Sequence, residues 1–153
     1  MKPLFLFLAA GLLTLSAQAQ QLTPKDIMGS WKFIEVEMHG CTVDLVRQKV
    51  TFSEQWKSGM SDSDLIQAEK KMLEQTSAYQ AMTLEITDKS MLYKAGGKTE
   101  MDNGYGLKYE DGKNFLTGEA ANDTETVISL HKGLLHMNVA SIEGEVNIKL
   151  KRK

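Results

Sequence analysis

The chain has 153 residues, with 18 basic against 20 acidic side chains and a formal net charge of −2. That is the length of one domain around one core, and no basic patch interleaved with aromatics is present, so nucleic acid is not an expected partner. The single Cys, Cys41, cannot form an internal disulfide, so the fold must hold by burial and backbone pairing.

The chain opens with Met1-Lys2, an apolar run from Leu4 to Leu15, and Ala17-Gln18-Ala19. A short positive start, an apolar stretch and a small-residue cleavage site make a secretory signal peptide. Cutting is expected after Ala19, leaving 20–153 as a single β domain, secreted or periplasmic. The apolar run is too short to cross a bilayer, which takes about 20 residues, so no membrane span is expected after cleavage.

Thr23-Pro24-Lys25-Asp26 carries a helix start, with Thr as cap, Pro at the first helical position and an acid three residues after the cap. Gly29 follows so soon that only one turn fits. Strict alternation along Trp31–Met38 puts Trp31, Phe33, Glu35 and Glu37 on one face, and Ile34, Val36 and Met38 on the other. Gly40 breaks that run. A second, half-buried strand is expected over 46–52, with Val46, Val50 and Phe52 on one side and Arg47, Lys49 and Thr51 on the other.

From 62 to 80 the period changes to that of a helix. Leu65, Met72, Thr76 and Tyr79 share a stripe, with Ala68, Glu69 and Leu73 near its edges, and Ser61-Asp62-Ser63-Asp64 supplies a cap and first-turn acids. Leu65, Met72 and Tyr79 are expected to lie on the sheet's apolar face, because an isolated helix of this length is marginal in water.

Beyond Ala81 the pattern is β to the end. If Lys132-Gly133 is a two-residue turn, Ile128 faces Met137 and Leu130 faces Leu135. If Glu143-Gly144 is another, Met137 faces Leu150 and Val139 faces Ile148. Both assignments put Met137 on the same apolar face, and a one-residue slip in either would destroy that agreement. Asp111-Gly112 gives a third hairpin, pairing Leu107 with Leu116 and Tyr109 with Asn114, with Phe115 on the opposite face. The fold class is therefore mainly β: an antiparallel meander curling into a barrel or half-barrel, with one helix inserted at about 62–80.

Little in the sequence assembles a reaction. His39 and Cys41 are two residues apart, too few for a metal site, and read as a loop between the first strands. His131 and His136 share a polar face with Ser129, Asn138 and Lys151 and read as solvated. Asp62 and Asp64 lack the Gly and terminal Glu of a calcium loop. No Gly-rich phosphate loop, nucleophile elbow or HExxH is present. Met28, Met38, Met60, Met72, Met82, Met91, Met101 and Met137 are scattered, and read as adaptable apolar lining in preference to a copper site. Asn122-Asp123-Thr124 is a glycosylation sequon, relevant only in a eukaryotic host. No enzyme, metal or cofactor is expected.

A short helical turn followed by Gly29-Ser30-Trp31 at the first strand of a secreted meander resembles the start of the lipocalins and the wider calycins, and the small lipocalin-like domains exported by bacteria. The helix between early strands is similar to the lid of fatty-acid-binding proteins, a calycin branch that also begins Gly-x-Trp. The resemblance implies that Trp31 plugs a closed end beneath a basic side chain of the last strand, for which Arg152 is the candidate, with Gly29 admitting the chain. It also implies a non-enzymatic binder of a small apolar ligand in the barrel interior, a size of barrel that holds one ligand. Candidate lining residues are then Tyr105, Leu107, Tyr109, Leu116, Ile128, Leu130, Met137 and Val139. The same residues would equally fill a solid core, and the alternative is a filled β-fold acting as a structural or interaction module of the bacterial envelope.

Overall fold

The computed structural model describes residues 20–121, 124–142 and 144–153. The expected signal segment 1–19, Asn122 and Asp123 of the sequon, and Glu143 of the last expected turn lie outside the described residues. In chain order come the single turn α1 (Pro24–Ile27), strands β1 (Gly29–Met38), β2 (Cys41–Asp44) and β3 (Lys49–Phe52), and helices α2 (Glu54–Gly59) and α3 (Asp62–Ala81). Strands β4 (Met82–Ile86), β5 (Ser90–Ala95), β6 (Lys98–Gly104), β7 (Gly106–Glu110) and β8 (Lys113–Thr117) follow. A 3-10 turn (Glu119–Ala121) leads to β9 (Glu125–His131), β10 (Leu134–Ser141) and β11 (Gly144–Arg152).

The fold is mainly β. Its strands pair antiparallel in the order β6-β5-β4-β1-β11-β10-β9-β8-β7 and curl into a half-barrel. The hairpin β2–β3 branches from this path: β4 pairs the first half of one β1 edge and β2 the second half. The two ends of the path, β6 and β7, succeed one another through Tyr105 alone. There the Tyr105 N–H donates to the Lys89 carbonyl at 3.2 Å. Gly118, at φ +84°, approaches so closely that a Cβ would sit 3.0 Å from the Gly104 carbonyl oxygen. One run of chain therefore joins both edges of the sheet.

Two-residue turns with both residues at positive φ close several hairpins: His39-Gly40, Gly96-Gly97, Asp111-Gly112 and Lys132-Gly133. This geometry matches the right-handed twist of the flanking strands. Across Lys132-Gly133, Ile128 pairs with Met137 and Leu130 with Leu135; across Asp111-Gly112, Leu107 pairs with Leu116 and Tyr109 with Asn114. The last hairpin differs from expectation. Ser141 pairs with Gly144, so Met137 meets Ile148 and Val139 meets Val146. The shift is by two residues, an even number, and every side chain keeps its face.

Strand β1 carries the larger correction. Phe33 pairs with Leu150 and Glu35 with Lys149, leaving Ile34 as the extra residue of a β-bulge. The Ile34 carbonyl accepts the Leu45 N–H at 2.9 Å. Past the bulge the faces exchange. Val36 joins Trp31 and Phe33 in the core, all at 1 % exposure or less, while Glu35 and Glu37 move to the outer face. The strand expected over 46–52 is also replaced: Val46 lies in the turn between β2 and β3 and is 64 % exposed, because Gln48 takes φ 54° to close that hairpin.

Helix α3 starts at a capping box in which the Ser61 and Asp64 side chains satisfy one another's backbone N–H groups. Its second half packs on the core through Met72, Leu73 and Tyr79, and the buried Thr76 hydroxyl donates to the Met72 carbonyl at 2.7 Å. Leu65, expected on the sheet, stays half-buried outside the core. A helix of this length spans about 30 Å, whereas the four strands it packs on, β1 to β4, cover only about 15 Å at normal strand spacing.

Candidate functional site on the curled face

The closed end is built from the N-terminal segment. Trp31 is fully buried and its indole N–H donates to the Ile27 carbonyl at 2.7 Å. Arg152, paired with Trp31 across β1 and β11, holds its guanidinium 4.6 Å from the ring centroid. It also donates to the carbonyls of Met28 and Asp26, each at 3.0 Å. Those carbonyls are positioned by α1, whose cap is locked by Thr23 N–H and Oγ1 bonds to the Asp26 carboxylate at 2.7 Å. The same bonds hold the Asp26 carboxyl below its ordinary pKa. Gly29 sits at φ +130°, and a Cβ there would lie 3.3 Å from Arg152 Nη1, so only glycine passes under the guanidinium unstrained. Farther back, Leu22 N–H donates to Asn114 Oδ1 at 2.7 Å and Asn114 Nδ2 to the Gln20 carbonyl at 2.9 Å. The segment thus runs from β8 to β1 and seals that end with Leu22, Ile27 and Trp31.

The eight expected lining residues divide by depth. Leu116, Ile128 and Met137 are buried at 4 % exposure or less. Leu107, Val139 and Tyr105 are half-buried. Tyr109 and Leu130 are each 38 % exposed at the rim, where β8 ends short of the neighbouring strand. The Tyr105 hydroxyl is committed to the Thr87 carbonyl at 2.8 Å, and burial, with the Asp88 carboxylate nearby, keeps it protonated by pushing its pKa up. Beside the buried half of the face, Phe33 meets Tyr79 of α3 in a tilted contact at 5.4 Å and stacks against Tyr93 of β5 at 6.4 Å between ring centroids.

The outer face is polar and ordered in cross-strand rows. Glu35, Lys149, His136 and Ser129 lie side by side on four successive strands, and Glu37, Asn147, Asn138 and Val127 form the next row. Lys149 Nζ meets Glu35 Oε1 at 2.6 Å and Asn138 Nδ2 donates to Asn147 Oδ1 at 2.7 Å. A shallow groove of about 330 Å³ runs over these rows. His136 Nε2 is buried there with no hydrogen-bond partner, and desolvation, aided by the Lys149 and His131 charges against Glu35, holds its pKa below the usual imidazole value. The rings of His131 and His136 are 6.5 Å apart.

His39 is exposed in its turn, whereas Cys41 is fully buried, with burial raising its thiol pKa; the two do not converge. Among the described residues no three His, Cys, Asp or Glu side chains gather where a metal ion could sit. Met91 and Met137 are buried, Met38, Met72 and Met82 pack against the core, and Met28, Met60 and Met101 are exposed. Sequence reasoning did not find Asn114 as the clamp of the N-terminal segment, a role carried by backbone partners 92 and 94 residues away. It also missed α2, where Ser53 caps the helix and Trp56 stacks on Phe52 at 5.7 Å. The Ser-Glu pair at 53–54 was its only signal. No family profile matches the chain, and no curated protein or solved structure does so either. Among the described residues no helix is long and apolar enough to cross a membrane.

Proposed function

We propose that this chain is an exported lipocalin-like carrier, not an enzyme, that takes one small apolar molecule against the β7–β10 part of its curled sheet. The observation that carries the reading is the graded burial there: deep Leu116, Ile128 and Met137 continue outward into Leu107, Val139, Tyr109 and Leu130, which remain partly open. Covering such apolar surface contributes about 25 cal/mol per Å², and apolar walls with few polar groups suit a small ligand. Titration with the neutral fluorophore N-phenyl-1-naphthylamine should give one-to-one binding. Leu107→Trp and Val139→Trp, which fill the partly open positions, should abolish it while the protein stays folded. No binding by the wild-type protein, together with no co-purifying molecule in native mass spectrometry, would overturn the reading. It would leave the second one, a filled β-fold that docks a partner in the envelope, favoured by the packing of Tyr79 and Tyr93 on Phe33. Export is tested by the intact mass of the secreted product, expected to begin at Gln20.

A further inference from the structure

The groove on the outer face lies on the side of the sheet away from the apolar interior. It spans β1, β11, β10 and β9, and each of these strands is paired along both edges. Their backbone groups are spent in the ladder, so a peptide cannot add here as a further strand, and recognition falls to side chains. Glu37, Asn147, Asn138, Ser129, Lys149 and His136 line a space of about 330 Å³, and Val127 gives it an apolar wall. That volume is at the lower end of the roughly 300–1,000 Å³ usual for small-ligand sites. Beyond Val127 the row continues into the half-buried Phe115 of β8.

The polar groups in this groove divide into committed and open ones. Lys149 is held by Glu35. His136 Nε2 is covered, so this ring shapes the groove and does not reach a ligand through that atom. Asn138 Nδ2 donates to Asn147 Oδ1 at 2.7 Å, which leaves Asn138 Oδ1 as an acceptor and Asn147 Nδ2 as a donor. The Glu37 carboxylate and the Ser129 hydroxyl make no ion pair or side-chain hydrogen bond with any described residue. Two acceptors, a donor and a hydroxyl that is both therefore stand open within one groove.

The charges favour an ion of neither sign. An anion would face Glu37. A cation would meet Lys149 beside Glu37, and its pairing with this exposed carboxylate would be largely screened by solvent. At the borders, Glu125 and Glu145 occupy the row on one side, and Lys151 and His131 the row on the other. What matches is a neutral molecule whose groups both donate and accept, with a small apolar surface for Val127. The hydroxyls of a sugar ring do this: each can donate to a carboxylate or amide oxygen while accepting from an N–H.

We propose that this outer groove is a second binding site, for a neutral saccharide held through Glu37, Asn138, Asn147 and Ser129. It stands apart from the carrier reading, whose failure would leave it untouched.

The experiment is a heteronuclear NMR titration of the folded protein that follows the side-chain amide signals of Asn138 and Asn147. The probes are maltohexaose, cellohexaose, xylohexaose and chitohexaose. At least one should move both signals saturably, with half-saturation below about 10 mM. Ser129→Ala/Asn147→Ala should weaken that binding about tenfold, the loss expected from one or two net hydrogen bonds, with the urea midpoint and N-phenyl-1-naphthylamine binding unchanged. Glu37→Gln, which keeps an acceptor and removes the charge, should leave the affinity within about twofold. No movement of the amide signals with any of the four would overturn the site. Tighter binding of hexagalacturonate or of fully deacetylated chitohexaose, or a large loss in Glu37→Gln, would overturn the neutral class. Tighter binding of a Gly-Ser hexapeptide would give the groove to a peptide instead. Undiminished affinity in the double variant would remove Ser129 and Asn147 from the contact and overturn the assignment.

Discussion

The two halves of the curled face are built from the same kinds of residue and end in different states. Around β1, β4, β5 and β11, Trp31, Phe33, Val36, Leu84, Met91 and Leu150 are all at 1 % exposure or less. Helix α3 and the N-terminal segment cover them. Around β7 to β10 the centre is equally deep, at Ile128 and Leu135, yet the rim residues Tyr109 and Leu130 are 38 % exposed. The difference lies in what each half has for a roof. One half has a helix and a turn of backbone tied down by hydrogen bonds from Arg152, Trp31 and Asn114. The other shares that backbone segment only at Asn114 of β8 and is otherwise held by its own ladder and the link at Tyr105. Equal hydrophobicity does not produce equal closure; the covering element decides.

Substitutions should reproduce that contrast. Trp31→Ala should cost about 3–5 kcal/mol, as for other buried large aromatics, out of the roughly 5–15 kcal/mol that holds a domain together. Leu130→Ala, a rim position of the same apolar class, should cost no more than about 1 kcal/mol. Urea midpoints measure both, and comparable losses would dissolve the distinction between a sealed and an open half.

Arg152 sharpens the account of the closed end. Arg152→Ala removes a stacking contact worth about 0.5–2 kcal/mol and two hydrogen bonds, but the freed carbonyls can be met by water. A loss of about 1 kcal/mol is expected, well below that of Trp31→Ala. Arg152→Lys should recover only part of it, since an ammonium cannot both stack and donate in a fork. Urea denaturation of the two variants checks the order; full recovery with lysine would mean that charge alone matters there.

The smallest effect is a pH dependence on the outer face. The folded state disfavours protonation of His136, through desolvation first and then the positive Lys149 and His131, with Glu35 opposing. As pH falls through the unfolded-state value near 6.5, the unfolded chain takes up this proton before the folded one does. Stability should therefore decline from above pH 6.5 down to the folded-state pKa and change no further below it. His136→Asn should flatten that part of a urea-midpoint profile between pH 8 and 5. An unchanged slope would place its origin elsewhere.

Much of the fold was legible in the sequence because hairpin arithmetic depends on parity. The Lys132-Gly133 and Asp111-Gly112 registers follow from turn residues that tolerate positive φ. The misplaced last hairpin still kept its faces because the shift was even. What alternation could not show was the bulge at Ile34, where one extra residue reverses the faces of β1 and moves Glu35 and Glu37 to the outside. No local residue type announces it; its cause is the pairing with β11, far along the chain. The site was legible only as a list of inward-facing residues. Which of them are roofed depends on the docking of α3 and of residues 20–28, a tertiary event. The same docking brings Tyr79 beside Tyr93, although the two looked unrelated as a helix residue and a strand residue.

The most direct test is an NMR titration of the intact protein, labelled at its methyl and aromatic groups, with N-phenyl-1-naphthylamine. The account predicts saturable shifts at Leu107, Tyr109, Leu130 and Val139, with Trp31, Leu84 and Leu150 unmoved. Shifts centred on Trp31 and Leu150, or spread evenly through the core, would contradict it.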